Sequence, residues 1–235
     1  MSYIIADCLV KTFGAGASAV PAVSEISFQI APGELVAIMG ESGAGKSTLL
    51  GILGAMNAPS SGRLLVDDID VYRLQPEQLA DFRREYLGFV FQSFHLLPYL
   101  SVIENVMLPL TVTRRSKTEK RAMALEALSR VGLTEKADRL PGAISGGEKE
   151  RVAVARAIVN EPPILLADEP TGNLDSRNSR EVMHLFQHLN DGGMTIIMVT
   201  HSAESAAYAR RIMQISDGRL QEDRSVVAAG LRMAS

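Results

Sequence analysis

Cysteine is all but missing: Cys8 is the single one in 235 residues. No intrachain disulfide framework can form, and a reducing compartment is the simple expectation. Cys8 itself is expected to be a small buried hydrophobe. An excess of charge of one sign is missing too. Lys and Arg number 24 against 27 Asp and Glu, a formal net charge of −3. There is no global basic field, so nucleic acid is not expected as a partner. Long apolar runs are also lacking. The region from Leu96 to Val112 is broken by Pro98, Glu104, Asn105 and Pro109, so no bilayer-spanning segment is expected. The start, Met1 to Asp7, has neither a basic region nor a long apolar run and does not read as a signal peptide. No internal repeat or low-complexity stretch is visible. What remains is ordinary globular composition, 46% apolar and 22% charged, with ample material for a core.

Against that background one stretch stands out, Gly40-Glu41-Ser42-Gly43-Ala44-Gly45-Lys46-Ser47-Thr48. It fits the pattern G-x-x-x-x-G-K-[ST]. An apolar run, Leu35 to Met39, precedes it as a buried strand. Leu49 to Leu53 follows it as an opening helix. Glycines let successive N–H groups turn inward, and with the helix N-terminus these donors make a phosphate site. Lys46 is placed to reach terminal phosphates and the Ser47 hydroxyl to ligate Mg²⁺. The first expectation is therefore nucleoside triphosphate binding.

The rest of the chain reads as an α/β protein. Residues 3–10 and 22–30 look like strands, and with 63–67 they are joined by short turns, which favours an antiparallel layer. Residues 76–85 read as a short helix and Gly88 to Phe91 as a buried strand ending at Gln92. From about 93 to 160 helical patterns take over, which suggests a helical subdomain inserted in a nucleotide-binding core. Ile164–Ala167, Thr195–Val199 and Ile212–Ile215 are strands, and Val182, Leu185, Phe186 and Leu189 mark an amphipathic helix. Strands alternating with helices imply a mostly parallel sheet with the nucleotide at strand C-terminal ends. The domain is expected over 1–220, with a loosely held tail at 221–235. Arg73, Arg83 and Arg84 read as solvated charges.

Two further clusters bear on chemistry. Asp168 and Glu169 close the apolar strand 164–167. Asp168 is suited to the Mg²⁺ shell through water, and Glu169 to polarising an attacking water. Ser145-Gly146-Gly147-Glu148 precedes the helix-forming run Lys149 to Ile158. A serine cap followed by glycines again exposes N–H groups at a helix start, a second anion site or an ordinary capped helix.

The order of phosphate loop, Gln92, Ser145-Gly146-Gly147-Glu148, Asp168-Glu169, Asn173-Leu174-Asp175 and His201 resembles an ATP-binding-cassette (ABC) nucleotide-binding domain, a P-loop NTPase, over about residues 3–220. The resemblance implies an ATPase using ATP and Mg²⁺. It implies a homodimer paired head to tail, with each ATP between one copy's phosphate loop and the other's Ser145, Gly146 and Gly147. Matching positions carry roles over. Gln92 would contact Mg²⁺ and the attacking water, and His201 the γ-phosphate. Asn173 and Asp175 would lie at the dimer interface, and Phe13 would stack on adenine. Taken singly, Gln92 is equally a surface residue after a strand, His201 a loop histidine, Asp175 a helix cap and Phe13 a core residue. The chain departs from the common signature at Ile144, in place of Leu, and at Glu148, in place of Gln. Glu41 puts a further carboxylate in the phosphate loop.

The run Ala167 to Asp175, the Glu148 variant and the segment Phe94 to Val106 are similar to one branch of that family. It contains lipoprotein-releasing (Lol-type) and macrolide-efflux (Mac-type) ATPases and antimicrobial-peptide transporters. This implies a subunit peripheral to the cytoplasmic face of a bacterial inner membrane, driving a separate integral-membrane permease. The alternative is an ATPase that regulates a membrane protein complex without transport, as in cell-division relatives. The proline-broken segment 94–110 reads either as a seat for a short permease helix or as internal packing under the helical subdomain. In this architecture the permease chooses the substrate.

Overall fold

The structure, a computed structural model, describes residues 3–14 and 16–226. Two sheets share the work. The first has four antiparallel strands in the order β2-β1-β4-β5: β1 (Ile4–Phe13), β2 (Val20–Ile30), β4 (Ser61–Val66) and β5 (Ile69–Asp70). The second has six strands in the order β10-β9-β3-β8-β7-β6. These are β3 (Leu35–Met39), β6 (Leu87–Val90), β7 (Ile164–Asp168), β8 (Thr195–Thr200), β9 (Arg211–Ser216) and β10 (Arg219–Ser225). All neighbours in it run parallel except the β9–β10 hairpin.

The central strands read as unbroken apolar runs because both their faces are buried. Leu35 and Ala37 of β3, Leu165 and Ala167 of β7, and Ile196 and Met198 of β8 face one core. Their alternates, Val36 and Ile38, Ile164 and Leu166, and Ile197 and Val199, face a second core. The period-two pleat thus makes one sheet the partition between two packing layers. The second core is completed by α1 (Lys46–Leu53), α2 (Pro76–Tyr86) and the antiparallel sheet. The first is completed by α3 (Val102–Met107), α4 (Lys117–Arg130), α5 (Gly146–Ile158) and α6 (Ser176–Asp191), with α7 (Ala203–Ala206) at its edge. Helices α3 to α5 all lie in sequence between β6 and β7. Among the described residues, no helix is long and apolar enough to cross a membrane.

Three sequence expectations change. Cys8 is exposed rather than buried. A bulge between Ala6 and Leu9 interrupts the β1–β2 register and leaves Cys8 at φ 47°, its N–H donating to Ser27 Oγ at 2.8 Å. The chain beyond 220 does not loosen at once. β10 continues through Ser225, and Arg211 Nη2 and Nε clasp both carboxylate oxygens of Asp223 at 2.6 and 2.7 Å. Residues 227–235 of the expected tail lie outside the described residues. Arg83 is not merely solvated: its Nη1 donates to the Ala55 carbonyl at 3.0 Å.

Candidate functional site

Strand β3 delivers the chain to the glycine-rich loop at the C-terminal edge of the large sheet, and α1 leads away from it. Gly45 caps α1 at φ 95°, left-handed backbone that glycine adopts without strain. A side chain there would also run into the carbonyl oxygen of Ala22 on β2. The loop is therefore pressed against the antiparallel sheet, a contact no local pattern announces.

The loop and its neighbours line a cleft of about 640 Å³. Its walls include Glu41, Ser42, Gly43, Gly45, Lys46, Ser47 and Thr48 from the loop, then Gln92, Asp168, Glu169 and His201. Residues far apart in sequence meet here because β3, β7 and β8 are parallel neighbours that end on the same edge. Lys46 is buried, and its ammonium donates to the carbonyls of Gly40 at 2.8 Å and Glu41 at 2.7 Å. Two of its three protons brace the loop, which leaves one for an anion. Ser47 Oγ donates to Asp168 Oδ1 at 3.1 Å. Burial raises the Asp168 pKa, with the Ser47 hydrogen bond opposing that rise. Ser47, Asp168 and the Gln92 amide form an oxygen-bearing donor set of the hard kind that suits Mg²⁺.

Glu169 follows β7 at φ 48°, outside the usual range for a residue with a side chain. Its N–H donates to Val199 O at 2.9 Å, which ties that turn to β8. Its carboxylate meets His201 twice: Nδ1 lies 2.8 Å from Oε1, and the His201 N–H lies 3.4 Å from Oε2. Gln92 is exposed, and its carbonyl accepts from Asn173 Nδ2 at 2.8 Å.

Other candidate residues lie apart from this cleft. Ser145 caps α5: its Oγ accepts from the Glu148 N–H at 3.2 Å, while Glu148 Oε2 accepts from the Ser145 N–H at 2.8 Å. That reciprocal capping box explains the glutamate in local terms. The Ser145 N–H holds the Glu148 carboxyl below its ordinary pKa, and Lys136 lies 3.7 Å away. Glu148 is thus committed to its own helix start. Gly147 packs the start of α5 onto α6, since a side chain there would strike Asn178 Oδ1. Asp175 is the cap of α6, accepting from the N–H groups of Arg177 and Asn178 at 3.0 and 2.9 Å. Phe13, at the end of β1, is 47% exposed with Lys11 Nζ 5.2 Å from its ring centre. None of Phe13, Ser145 to Glu148, Asn173 or Asp175 lines the cleft.

Two features escaped the sequence reading. One is Ala22, which lines the cleft. The other is Arg156 on α5, whose guanidinium donates to His95 O at 2.6 Å and Phe94 O at 2.7 Å, clamping the segment just after Gln92. A signal for the capping box was present in the S-x-x-E spacing, which recurs at Ser101/Glu104 of α3 and Ser116/Glu119 of α4.

Known proteins resemble this chain in sequence and in fold. The ABC transporter family matches residues 23–172. The macrolide export ATP-binding/permease protein MacB of Burkholderia pseudomallei is 45% identical over 91% of the chain, which spans only about 33% of that protein's length. The uncharacterized ABC transporter ATP-binding protein YvrO of Bacillus subtilis is 46% identical, covering 91% of this chain and 93% of its own. The ATP-binding cassette MJ0796, solved as a dimer in a post-hydrolysis state bound to ADP and Pi, superposes with a TM-score of 0.87. Its identity is 38%, over 95% of this chain and 99% of that one. The chain belongs to the ABC transporter family, as an ATP-binding cassette of the ATPase type.

Proposed function

We propose that this chain binds Mg·ATP in the cleft, closes head to tail on a second copy, and hydrolyses the nucleotide to drive a membrane permease. The convergence of Lys46, Ser47, Gln92, Asp168, Glu169 and His201 on one cleft carries the reading, together with a second exposed helix start at Ser145 that stands off it. The loop N–H groups and Lys46 hold the triphosphate. Ser47 and Gln92, with Asp168 through water, would hold Mg²⁺, which would supply charge neutralisation at the phosphates. Glu169 accepts the proton of the water that attacks the γ-phosphate, and His201 fixes the Glu169 carboxylate by the contacts described. Phe13, exposed at a strand end, offers a face for the adenine. Ser145, Gly146 and Gly147 of the second copy close the site over the γ-phosphate, where the α5 dipole favours negative charge. Asn173 and Asp175 lie at that interface.

The partner seat is a groove of about 450 Å³ lined by Phe89, Phe91, His95, Pro109, Val112 and Arg156, among others. Both readings of segment 94–110 find support here. Val102, Ile103, Val106 and Leu110 are buried as internal packing, while His95 and Pro109 face the groove, joined there by Val112 just beyond the segment. An apolar groove rimmed by arginine fits a short permease helix. MacB, in which a cassette and a permease share one chain by name, supports this partner. On this reading the protein works at the cytoplasmic face of a bacterial inner membrane, on the Mac-type and Lol-type branch.

Glu169→Gln tests the catalytic assignment. The variant keeps ATP binding, loses turnover by roughly 10²-fold or more, and accumulates as an ATP-dependent dimer in sedimentation. Parent-like hydrolysis by that variant sinks the assignment.

A further inference from the structure

The chain as a whole is slightly acidic, yet Arg114, Arg115, Lys117, Lys120 and Arg121 fall within eight residues containing one carboxylate, Glu119. The cluster spans the loop before α4 and the first turns of that helix. Two of its members have protein partners: Lys120 Nζ reaches the Thr111 carbonyl at 3.4 Å, and Arg121 pairs with Asp138 at 3.5 Å. Arg114, Arg115 and Lys117 are exposed, and their side chains make no hydrogen bond or ion pair among the described residues.

Helix stability argues against this placement. The N-terminus of α4 carries the positive end of the helix dipole, where acidic residues stabilise and cations are repelled. Glu119 obeys that preference through its capping box with Ser116. Arg114, Arg115 and Lys117 oppose it. Three cations crowded at the wrong helix end, none of them in a direct ion pair and with only Glu119 acting on Arg115 and Glu104 on Lys117 from nearby, are a local cost that an external anionic surface would offset.

Their position identifies the surface. Val112, 71% exposed, lies two residues before Arg114 and lines the rim of the groove assigned to the permease. Whatever membrane protein sits in that groove brings its bilayer to the same side of the cassette. We infer that the basic loop Arg114–Lys117 and the start of α4 bind the anionic lipid headgroups of the membrane beside the permease. The loop acts as a second, electrostatic contact that orients the cassette. The side of the membrane rests on the groove reading; the affinity for anionic lipid does not. Juxtamembrane basic clusters of this size gain appreciable attraction per cation, within about a Debye length of the surface.

The test uses the full chain without any permease. It is co-sedimented at low salt with vesicles of phosphatidylcholine alone and of phosphatidylcholine containing phosphatidylglycerol. Binding is expected only to the anionic vesicles and is expected to fall as salt rises. The double variant Arg114→Glu/Arg115→Glu is expected to bind them roughly thirtyfold more weakly, with ATPase activity in solution unchanged. No binding of the parent to anionic vesicles overturns the inference and leaves the permease groove untouched. A charge-reversed chain that still binds vesicles but no longer assembles with a permease in neutral detergent also overturns it, and assigns the loop to an acidic segment of the permease.

Discussion

At Glu150, one turn into α5, the chain buries a carboxyl and leaves one of its oxygens without a hydrogen bond. The residue is 1% exposed, and Oε1 finds no hydrogen-bond partner among the described residues. Burial pushes its pKa up to about 8, against the opposing charge of Arg156. Between 4.5 and about 8 the folded chain therefore holds a proton that the unfolded chain has released. The folded state binds more protons in that window, so this group's contribution to stability is largest below it and falls as pH rises through it. Glu150→Gln removes the titration. The melting temperature of the variant is expected to exceed the parent's near pH 8, and the gap to narrow toward pH 5. Parallel curves for the two proteins would refute a buried protonated carboxyl. Nothing at residue level in the sequence distinguishes Glu150 from the exposed glutamates around it. Its burial follows from which face of α5 meets the core. Lys46 and Ser47 were legible because their chemistry depends on a fixed local spacing. Cys8 was misread because a strand bulge, not hydrophobicity, decides which way it points.

At the scale of elements, α5 joins three functions on one rod. Ser145 and Glu148 box its start, Gly147 seats that start on α6, and Arg156 clamps the segment that follows Gln92. The segment after Gln92 and the helix that starts at Ser145 are thereby joined through one guanidinium. Arg156→Met keeps the aliphatic stem but abandons two carbonyls. It is expected to cost roughly 1.5–3 kcal/mol in denaturant unfolding and to speed amide exchange in the segment after Gln92. A loss below about 0.5 kcal/mol would show that the clamp carries no energy. Helices and central strands were readable here because their periodicity reports burial on one face or two. β10 was not, because Arg219-Leu220-Gln221-Glu222-Asp223-Arg224-Ser225 carries almost no apolar signal. It is held by pairing with β9 and by Arg211.

At the scale of the molecule, the six-stranded sheet separates two cores and gathers its parallel strand ends at one cleft. Half of the proposed site lies there, and the other half stands at α5, turned to a different surface. A direct test mixes two inactive chains. Lys46→Ala lacks the phosphate ligand, and Ser145→Arg blocks the helix start. A mixed dimer carries one site with both halves intact, so mixing is expected to restore ATP hydrolysis that neither chain shows by itself. If the mixture stays inactive while mixed dimers form, the split site is wrong. The sequence by itself determined the phosphate loop, the carboxylates at the end of β7, the serine cap of α5 and the alternation of strands and helices. Each is a local pattern whose physics is complete within a few residues. The tertiary structure decided that Glu169 is held by His201 from the next strand, and that Arg156 governs the segment after Gln92. It decided too that the helix start at Ser145 does not share the cleft of its own chain. Those outcomes depend on long-range packing of elements, where the separation along the chain carries no information about separation in space.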